Sequence, residues 1–262
     1  MREINRVDTE EIVKSLIERH EIRFHEVDRI GRASIHTISN CMQDTANNHS
    51  RALGTSVEDF SDRNMTWVFA RMRIQMTRYP VYPGVFHIDT WRSVVYNFWA
   101  FREYLILDDN MELIGRASGK LSLIDIEKRR PVQIPSFLWE QFIPEKGRAI
   151  EDPLERLDEN DTYTHEKRFM VRASDLDIND HVNNVSYIDW ITESVPGEIL
   201  MNYSLSDIDI DYRTEARYGD VIMSRCEPHN EDEASFVHAL VREKDGRIIT
   251  LAHTAWKPCL LS

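Results

Sequence analysis

The segment DLDINDHVNNVSYIDW, residues 175–190, places three side chains able to do chemistry at alternate positions: Asp177, Asn179 and His181. A carboxylate and an imidazole can relay a proton near neutral pH, and an amide can donate a hydrogen bond to a carbonyl oxygen. The same residue types also form turns and helix N-caps, because their side chains satisfy free backbone N–H groups. The pattern alone leaves a catalytic site and an ordinary cap as alternatives.

An amphipathic helix is predicted directly after this segment, over residues 181–195. Its apolar side chains recur at three- and four-residue intervals and form one wide face: Val182, Val185, Tyr187, Ile188, Trp190, Ile191 and Val195. A face this wide must be covered, and a curved sheet is the expected cover.

A shift of about 136 positions reveals an internal repeat. Ile208, Ile210 and Tyr212 alternate with aspartates, as expected of a half-buried strand, and the shift places Met72 and Ile74 under the first two. It also aligns three other stretches: Asn47-Asn48 with Asn183-Asn184, residues 108–110 with 244–246, and Ala33, Ile35 and Thr37 with Phe169, Val171 and Ala173. We interpret the chain as two copies of one unit.

Each copy is expected to contain a strand, a loop, one long helix and three or four long antiparallel strands, with the first helix over residues 39–53. The predicted fold is α+β, a tandem double hotdog in which each half wraps a curved antiparallel sheet around its helix, and the two copies can pair their sheets. We expect an N-terminal hotdog over residues 1–143, a charged linker over 144–163 and a C-terminal hotdog over 164–262.

Composition limits the function. The formal net charge of −13 disfavours nucleic-acid binding, which depends on clustered Lys and Arg. No apolar run approaches a membrane span, and the first residues resemble neither a signal nor a transit peptide, so we expect a cytoplasmic protein. Cys41, Cys226 and Cys259 are widely separated, which indicates plain thiols. We expect no metal and no cofactor, because no ligand cluster or nucleotide motif is present.

Three groups of basic residues could dock an acidic partner: residues 127–131 (EKRRP), 165–168 (HEKR) and 212–217 (YRTEAR). Such runs are more often solvated faces.

The segment DLDINDHVNNVSYIDWITESVP, together with TWVFARMRIQMTRYPVYPGVFHIDTW, resembles the acyl-acyl carrier protein (acyl-ACP) thioesterases, plant and bacterial enzymes that end fatty-acid synthesis. The similarity runs from about residue 24 to residue 258 and suggests a bacterial member of that family. The resemblance implies a tandem hotdog, an acyl carrier protein with a phosphopantetheine-linked acyl chain as partner, and catalytic residues Asp177, Asn179, His181 and Glu215. Many plant members have a cysteine after the glutamate; here the position is Ala216, so a cysteine nucleophile cannot act there.

A thioester carbonyl can be attacked by water if a base removes the proton and a donor stabilises the oxyanion. We assign Glu215 as the base and His181 as its proton relay, with Asp177 orienting the ring or the water. Asn179 and the first N–H groups of the helix would stabilise the carbonyl oxygen.

In the first copy, the shift places Cys41, Gln43, Thr45 and Tyr79 under the four catalytic positions. That set has no acid–base pair, so we predict a non-catalytic copy that selects the acyl chain through Met42, Trp67, Phe69 and Met72. The predicted activity is a thioesterase that releases fatty acid from acyl-ACP. An acyl-CoA thioesterase and a hotdog module that binds acyl thioesters without cleavage are the alternatives, and a homodimer is also open.

Overall fold

The structure is a computed structural model that describes residues 14–56, 59–60, 63–178, 180–229 and 234–259. The described part of the first copy has one long helix, which follows the first strand and precedes five further strands. The bounds are Ser15–Glu21 (β1), Ile35–Ala52 (α1), Met65–Met76 (β2), Val85–Tyr96 (β3), Trp99–Asp108 (β4), Leu113–Asp125 (β5) and Arg130–Val132 (β6).

The second copy repeats this order with a shorter helix. Its bounds are His165–Met170 (β7), Asn184–Glu193 (α2), Gly197–Asn202 (α3), Tyr203–Tyr212 (β8), Val221–Pro228 (β9), Ser235–Arg242 (β10) and Arg247–Pro258 (β11). The expected sequence of strand, loop, helix and long strands is confirmed in both copies.

The eleven strands found in the described residues form one antiparallel sheet in the order β1-β3-β4-β5-β2-β8-β11-β10-β9-β7, with β6 paired to β5. The two copies join edge to edge, since β2 pairs with β8 and places Ile74 opposite Ile208. The copies therefore pair through strand edges, which removes two exposed edges. This architecture confirms the predicted α+β double hotdog.

Charge complementarity fixes the register of the β2–β8 joint. Arg73 lies opposite Asp209 in the ladder, and Arg71 contacts Asp209 at 2.5 Å while Arg73 contacts Asp207 at 2.9 Å. A slip by one residue would bring these charges to the face that carries Ile74 and Ile208. The polar alternation in β2 and β8 thus specifies how the copies meet.

Helix α1 begins at Ile35, four residues before the predicted start. Ser34 is the N-cap, because its hydroxyl accepts a hydrogen bond from the backbone N–H of Thr37 at 3.1 Å. The prediction missed this start because Ala33, Ile35 and Thr37 alternate as the residues of a strand do. The buried side of the helix includes Ile38 and Met42.

Helix α2 begins at Asn184 instead of at His181, and it ends at Glu193. The Asn183 side chain accepts a hydrogen bond from the backbone N–H of Val185 at 3.0 Å, so the helix starts after this cap. The predicted apolar face is confirmed, because all seven of its members are buried: Val182, Val185, Tyr187, Ile188, Trp190, Ile191 and Val195.

The repeat has two spacings, so the single shift of 136 was wrong for part of the chain. Strands β3 and β9 begin 136 positions apart (221 − 85), whereas the N-caps Ser34 and Asn183 lie 149 apart (183 − 34). Helix length explains 8 of the 13 extra positions, since α1 has 18 residues and α2 has 10. The other five lie between the helix C-caps, which are 141 apart (194 − 53), and strands β3 and β9. Asn47-Asn48 consequently lies inside α1, Ile35 and Thr37 belong to α1 and to no strand, and Ala33 precedes the helix.

Residues 144–163, predicted to be a charged linker, pack against the sheet. The Trp91 indole donates to the carbonyl of Gly147 at 3.0 Å, Asp152 pairs with Arg73 at 2.5 Å, and Ile150 and Leu154 are buried. The segment therefore covers the charged β2–β8 joint on the face opposite the helices. In the part of the chain that the structure describes, no helix is long and apolar enough to cross a membrane.

Candidate active site

A tight loop before α2 presents His181. The backbone N–H of Asp177 donates to the carbonyl of His181 at 2.7 Å, and Asp177 Oδ1 accepts from the N–H of His181 at 3.2 Å. Leu176 and Val182 form a β-bridge across the base of the loop, and Asp180 adopts a positive φ of 58° at its tip. The Asp177 carboxylate therefore holds the shape of the loop.

Asn179, the predicted carbonyl donor, lies outside the described residues. The predicted contribution of the helix N-terminus needs correction, since α2 starts three residues after His181. The N–H of Val185 is already bonded to Asn183, whose side chain also accepts from Gln43 of α1 at 3.0 Å. The first turn of α2 is thus capped by the protein itself.

Glu215 lies in the bend that follows β8, three residues after the strand ends at Tyr212. The bend is tied to α2, because the N–H of Ala216 donates to the Tyr187 hydroxyl at 3.0 Å. Burial raises the pKa of Tyr187 to about 12, so this phenol remains protonated. Arg242 also donates to the Glu215 carbonyl at 3.3 Å. Helix α2 therefore positions both the loop before it and the bend opposite.

The structure brings His181 and Glu215 together, with Nε2 and Oε2 3.8 Å apart. Their side chains are 42% and 37% exposed, so both can reach a ligand from solvent. An imidazole and a carboxylate at this separation can hold one water molecule between them, since each needs about 2.8 Å to the water oxygen. The pair is suited to activating water.

Arg129 is a site residue that the sequence reasoning missed in this role. It comes from the turn between β5 and β6 in the first copy, and its guanidinium donates to Glu215 Oε2 at 2.6 Å. The segment 127–131 was noted only as a docking candidate, because nothing in the sequence links it to a residue 86 positions away. The candidate site is therefore shared by the two copies.

An open groove runs beside His181. It is lined by Ala173, Leu176, Asp180, His181, Arg217 and Tyr218. Tyr218 is well exposed, and Arg217 lies two residues after Glu215. The groove offers a path along which an extended substituent could leave the His181–Glu215 pair.

A second concavity, the α1 cavity, lies in the first copy between helix α1 and the sheet. The volume open to the centre of a water-sized sphere is about 130 Å³, and Trp67 and Phe69 line this cavity. Met42 and Met72, predicted beside them, do not line it; both are buried in the main core. Alternation on β2 alone could not separate cavity wall from core.

The α1 cavity approaches the His181–Glu215 pair along the sheet. Arg71 of β2 pairs with Asp211 of β8, and the antiparallel register carries Phe69 and Trp67 in the direction in which the chain continues from β8 to Glu215. Gln43, one turn before the cavity-lining Asn47, contacts the cap of α2. The cavity therefore lies on the side of the β2–β8 joint toward which the chain runs to Glu215.

The loop before α1 is the structural counterpart of the His181 loop, and it contains different residues from those predicted. The spacing of 149 places Asp28, Ile30 and Arg32 under Asp177, Asn179 and His181, while the spacing of 136 places Tyr79 under Glu215 as expected. The wrongly aligned residues lie inside α1: Cys41, Gln43 and Thr45. The counterpart still has no carboxylate–imidazole pair.

Among the residues that the structure describes, no group of three or more His, Cys, Asp and Glu side chains could hold a metal ion.

Family comparison agrees with this architecture in both copies. Residues 14–142 match the family model "Acyl-ACP thioesterase N-terminal domain", and residues 158–258 match "Acyl-ACP thioesterase C-terminal domain". The chain belongs to the acyl-ACP thioesterase family. The two models divide the chain between β6 and β7, where the packed segment 144–163 connects the copies.

Among curated proteins, the chain is similar to the chloroplastic acyl-[acyl-carrier-protein] hydrolase FATB2 of Cuphea viscosissima, with 32% identity over 252 residues. The match covers 90% of this chain and 61% of that relative, so the chain spans less than two thirds of the plant protein.

Among solved structures, the 12:0-ACP thioesterase of Umbellularia californica superimposes with a TM-score of 0.82 at 26% identity, covering 93% of this chain and 97% of that one. An acyl-ACP thioesterase of Bacteroides thetaiotaomicron superimposes with a TM-score of 0.83 at 22% identity, covering 93% and 98%. The second likeness supports the fold alone.

Proposed function

We propose that this chain hydrolyses acyl-ACP to free fatty acid and holo-ACP by attack of a base-activated water on the thioester carbonyl. The observation that carries the proposal is the His181–Glu215 pair at 3.8 Å, placed between an open groove and the α1 cavity in a member of the acyl-ACP thioesterase family. The groove suits the pantetheine arm, and the cavity suits the acyl chain.

In the proposed mechanism, Glu215 removes a proton from a water molecule that His181 also contacts. The water oxygen then bonds to the thioester carbon, and collapse of the tetrahedral intermediate breaks the carbon–sulfur bond. His181 takes this proton from Glu215 and passes it to the leaving thiolate, since an imidazole nitrogen can both accept and donate a proton. Asn179 is proposed to donate to the developing oxyanion, and Asp177 keeps the loop in shape.

Arg129 is proposed to position Glu215. A guanidinium bonded to Oε2 restricts rotation of the carboxylate and keeps it beside His181. Glu215 lies in a bend, where regular backbone hydrogen bonding does not fix the side chain, so this contact supplies orientation that the fold itself does not.

The division of labour is part of the proposal. The C-terminal hotdog, residues 164–262, supplies the acid–base pair, and the N-terminal hotdog, residues 1–143, selects the acyl chain through Trp67 and Phe69, across the linker 144–163. The structure does not support Met42 and Met72 as direct wall residues, since both pack in the core.

Two of the three basic groups are favoured as carrier contacts. Residues 127–131 reach Glu215 through Arg129, and residues 212–217 contain it. Within these groups the carrier contact is assigned to Arg130 and Arg217, because Lys128, Arg129 and Arg213 pair with Asp125, Glu215 and Glu159. Lys167 and Arg168 of the third group pair likewise with Glu193 and Glu243. We include a bacterial origin and a cytoplasmic location in the proposal, as the sequence suggested.

The test is incubation of the purified protein with a panel of acyl-ACPs, with released fatty acids measured by mass spectrometry. Comparison of kcat/KM on acyl-ACP and on acyl-CoA of equal chain length separates the carriers. A kcat/KM on acyl-CoA equal to or higher than that on acyl-ACP would contradict the assignment of acyl carrier protein as the carrier. Binding of acyl-ACP with no released acid would reduce the protein to a thioester-binding module.

A further inference from the structure

The inner part of the α1 cavity contains two arginines that the proposed mechanism does not use. Arg92 of β3 and Arg102 of β4 are directly opposite each other in the ladder, and both line the cavity. They are 4% and 5% exposed. Apolar wall residues surround the same space, among them Trp67, Leu121 and Phe142.

Among the described residues, the hydrogen-bond partners of both guanidiniums are all neutral groups. Arg92 donates to Thr55 Oγ1 at 2.7 Å, to Ser50 Oγ at 3.2 Å and to Gln141. Arg102 donates to the same Ser50 Oγ at 3.0 Å, and further to Thr90 Oγ1 and His49 Nδ1 at 3.3 and 3.1 Å. Ser50 thus lies between two cations, and no described carboxylate pairs with either one.

This arrangement is electrostatically unfavourable by itself. Like charges directly opposite on neighbouring strands repel each other, and a buried charge without a counter-ion loses its hydration. Burial lowers the pKa of Arg92 well below its ordinary value, with the nearby charge of Arg102 adding to this, and burial lowers the pKa of Arg102. The Arg92 guanidinium also lies 5.9 Å from the ring centroids of both Trp67 and Phe142, which compensates only in part.

The rest of the chain shows the usual solution to such burial. Arg71 is equally buried at the β2–β8 joint, but it contacts Asp209 at 2.5 Å, and buried Glu103 is paired with Arg148 at 2.9 Å. The arginine pair in the α1 cavity differs because the space beside it is open to a ligand.

We propose that the α1 cavity binds an aliphatic chain that ends in a carboxylate, with the carboxylate held between Arg92 and Arg102. Guanidinium groups match the planar geometry of a carboxylate and can donate two parallel hydrogen bonds to it, while the aromatic and aliphatic walls accept the methylene chain. Such a carboxylate has two sources: a free fatty acid bound head inward, or an acyl thioester whose far end is carboxylated. Only the second source rests on the proposed function.

The first experiment measures binding by isothermal titration calorimetry and thermal shift, with decanoate and decan-1-ol as probes on the wild-type protein. Decanoate is expected to bind at least about 10-fold more tightly than the alcohol, as a charge-assisted pair predicts, and to raise Tm. The wild-type comparison requires no variant. Equal affinity for acid and alcohol would show an apolar chain pocket alone and would overturn the proposal.

Variants then locate the binding. Arg102→Met is expected to abolish the preference for the acid. Lys120→Met is the matched control, because Lys120 neighbours the cavity-lining Leu121 on β5 but bonds to Leu154 of the packed segment on the other face. Arg92→Met serves if Arg102→Met fails to fold by circular dichroism. An unchanged acid preference in a folded arginine variant would contradict the assignment.

A second arm separates the two sources by comparing hydrolysis of decanedioyl-ACP and decanoyl-ACP. A higher kcat/KM for the dioyl substrate, lost in Arg102→Met, supports a carboxylated acyl chain. A lower value together with tight decanoate binding supports the free fatty acid, seen also as competitive inhibition. Absence of any acyl-ACP hydrolysis would refute the proposed function while leaving the decanoate result intact.

Discussion

The loops before α1 and α2 have nearly the same backbone and different chemistry. In the first, the N–H of Asp28 donates to the carbonyl of Arg32 at 2.7 Å, and Asp28 Oδ1 accepts from the N–H of Arg32 at 3.0 Å. The corresponding distances between Asp177 and His181 are 2.7 and 3.2 Å. Positive φ at the loop tip also recurs, at Gly31 and at Asp180. The aspartate and the tip residue therefore make the loop, whatever its function.

The difference lies in the two side chains that the shared backbone presents. In the first copy, the Arg32 guanidinium pairs with Asp28 at 3.0 Å and lies 5.4 Å from the Tyr79 ring centroid, while the Tyr79 hydroxyl donates to Leu205. Burial raises the pKa of Tyr79, so this phenol cannot act as a base near neutral pH. The second copy has His181 and Glu215 at these two places, so the shared backbone presents an imidazole–carboxylate pair in that copy and a guanidinium and a phenol in the first.

A similar contrast holds deeper in the two copies. The spacing of 136 places His238 in the second copy at the position of Arg102 in the first. Burial lowers the pKa of His238 to about 3, and the neutral ring bonds to Thr254 at 2.8 Å. The second copy thus contains a neutral residue where the first has a buried cation, in agreement with a ligand that enters only the first copy.

The largest expected effect tests whether catalysis depends only on the loop before α2 and on Glu215, and not on their counterparts in the first copy. Glu215→Gln and His181→Ala should each lower kcat about 10²-fold or more, the usual contribution of a positioned acid or base. Tyr79→Phe, at the counterpart of Glu215, should leave kcat within about two-fold, since no proton transfer depends on it. Initial rates on one acyl-ACP measure all three.

Two outcomes would break this contrast. Near-wild-type turnover in folded Glu215→Gln would transfer the base role to Asp177. A loss in Tyr79→Phe as large as in Glu215→Gln would show that the first loop also takes part.

The next effect tests whether the first copy contributes to the chemistry through Arg129. Arg129→Ala should lower kcat about 10-fold with little change in KM, because it releases the carboxylate from its orientation without touching the substrate. Arg129→Lys should restore part of the rate. Lys128→Ala is the matched control, since Lys128 in the same turn pairs with Asp125 instead.

A double-mutant cycle decides whether Arg129 acts through Glu215. In the Glu215→Gln background, Arg129→Ala should have almost no further effect on kcat. Fully additive losses, or a change confined to KM, would assign Arg129 to carrier docking.

A smaller effect separates the cavity wall from the core of the first copy. Trp67→Phe and Phe69→Leu should change the preference between short and long acyl-ACPs by up to about 10-fold, as expected of an apolar pocket. Met42→Ala should lower the free energy of unfolding by about 2–5 kcal/mol and leave that preference unchanged. Ratios of kcat/KM and denaturant midpoints provide the two readouts. A preference change in Met42→Ala larger than in Trp67→Phe would restore Met42 to the wall.

The double hotdog could be predicted from the sequence because strand alternation and apolar helix faces are patterns between residues close together in the chain. The alternation around Ile208 and Ile210 and the apolar face of α2 each follow from spacing alone. The gapless shift failed because most of the insertion lies in a helix, where an extra turn or two preserves the apolar face and leaves no mark in the pattern. The first residues of α1 and α2 are set by the N-caps Ser34 and Asn183. A pattern of apolar residues does not reveal these caps.

The site was predictable only in part, for a related reason. Asp177 and His181 share one loop, and the family signature identified Glu215, so three members could be assigned from the sequence. Arg129 could not, because it meets Glu215 only after two sheets join through β2 and β8. The arginine pair was also hidden, since partners on adjacent strands are known only when their register is known.

The smallest expected effect concerns the contact between the helices of the two copies. His36 on α1 pairs with Asp189 on α2 at 2.9 Å, and the hydrogen bond to Asp189 raises the pKa of His36 above its usual 6.5, although partial burial opposes this. Arg172 also faces Asp189 electrostatically. Because the folded protein binds this proton more tightly, the pair stabilises the fold fully below about pH 6.5, and the contribution is lost as pH rises through the raised pKa. Both side chains are about half exposed, so the contribution should be only about 0.5 kcal/mol. Urea unfolding at pH 5.5 and at pH 9 measures it: His36→Gln and Asp189→Asn should each be less stable than wild type at the lower pH and nearly equal to it at the higher. Equal differences at both pH values would mean that packing, and not the charged pair, joins the two helices.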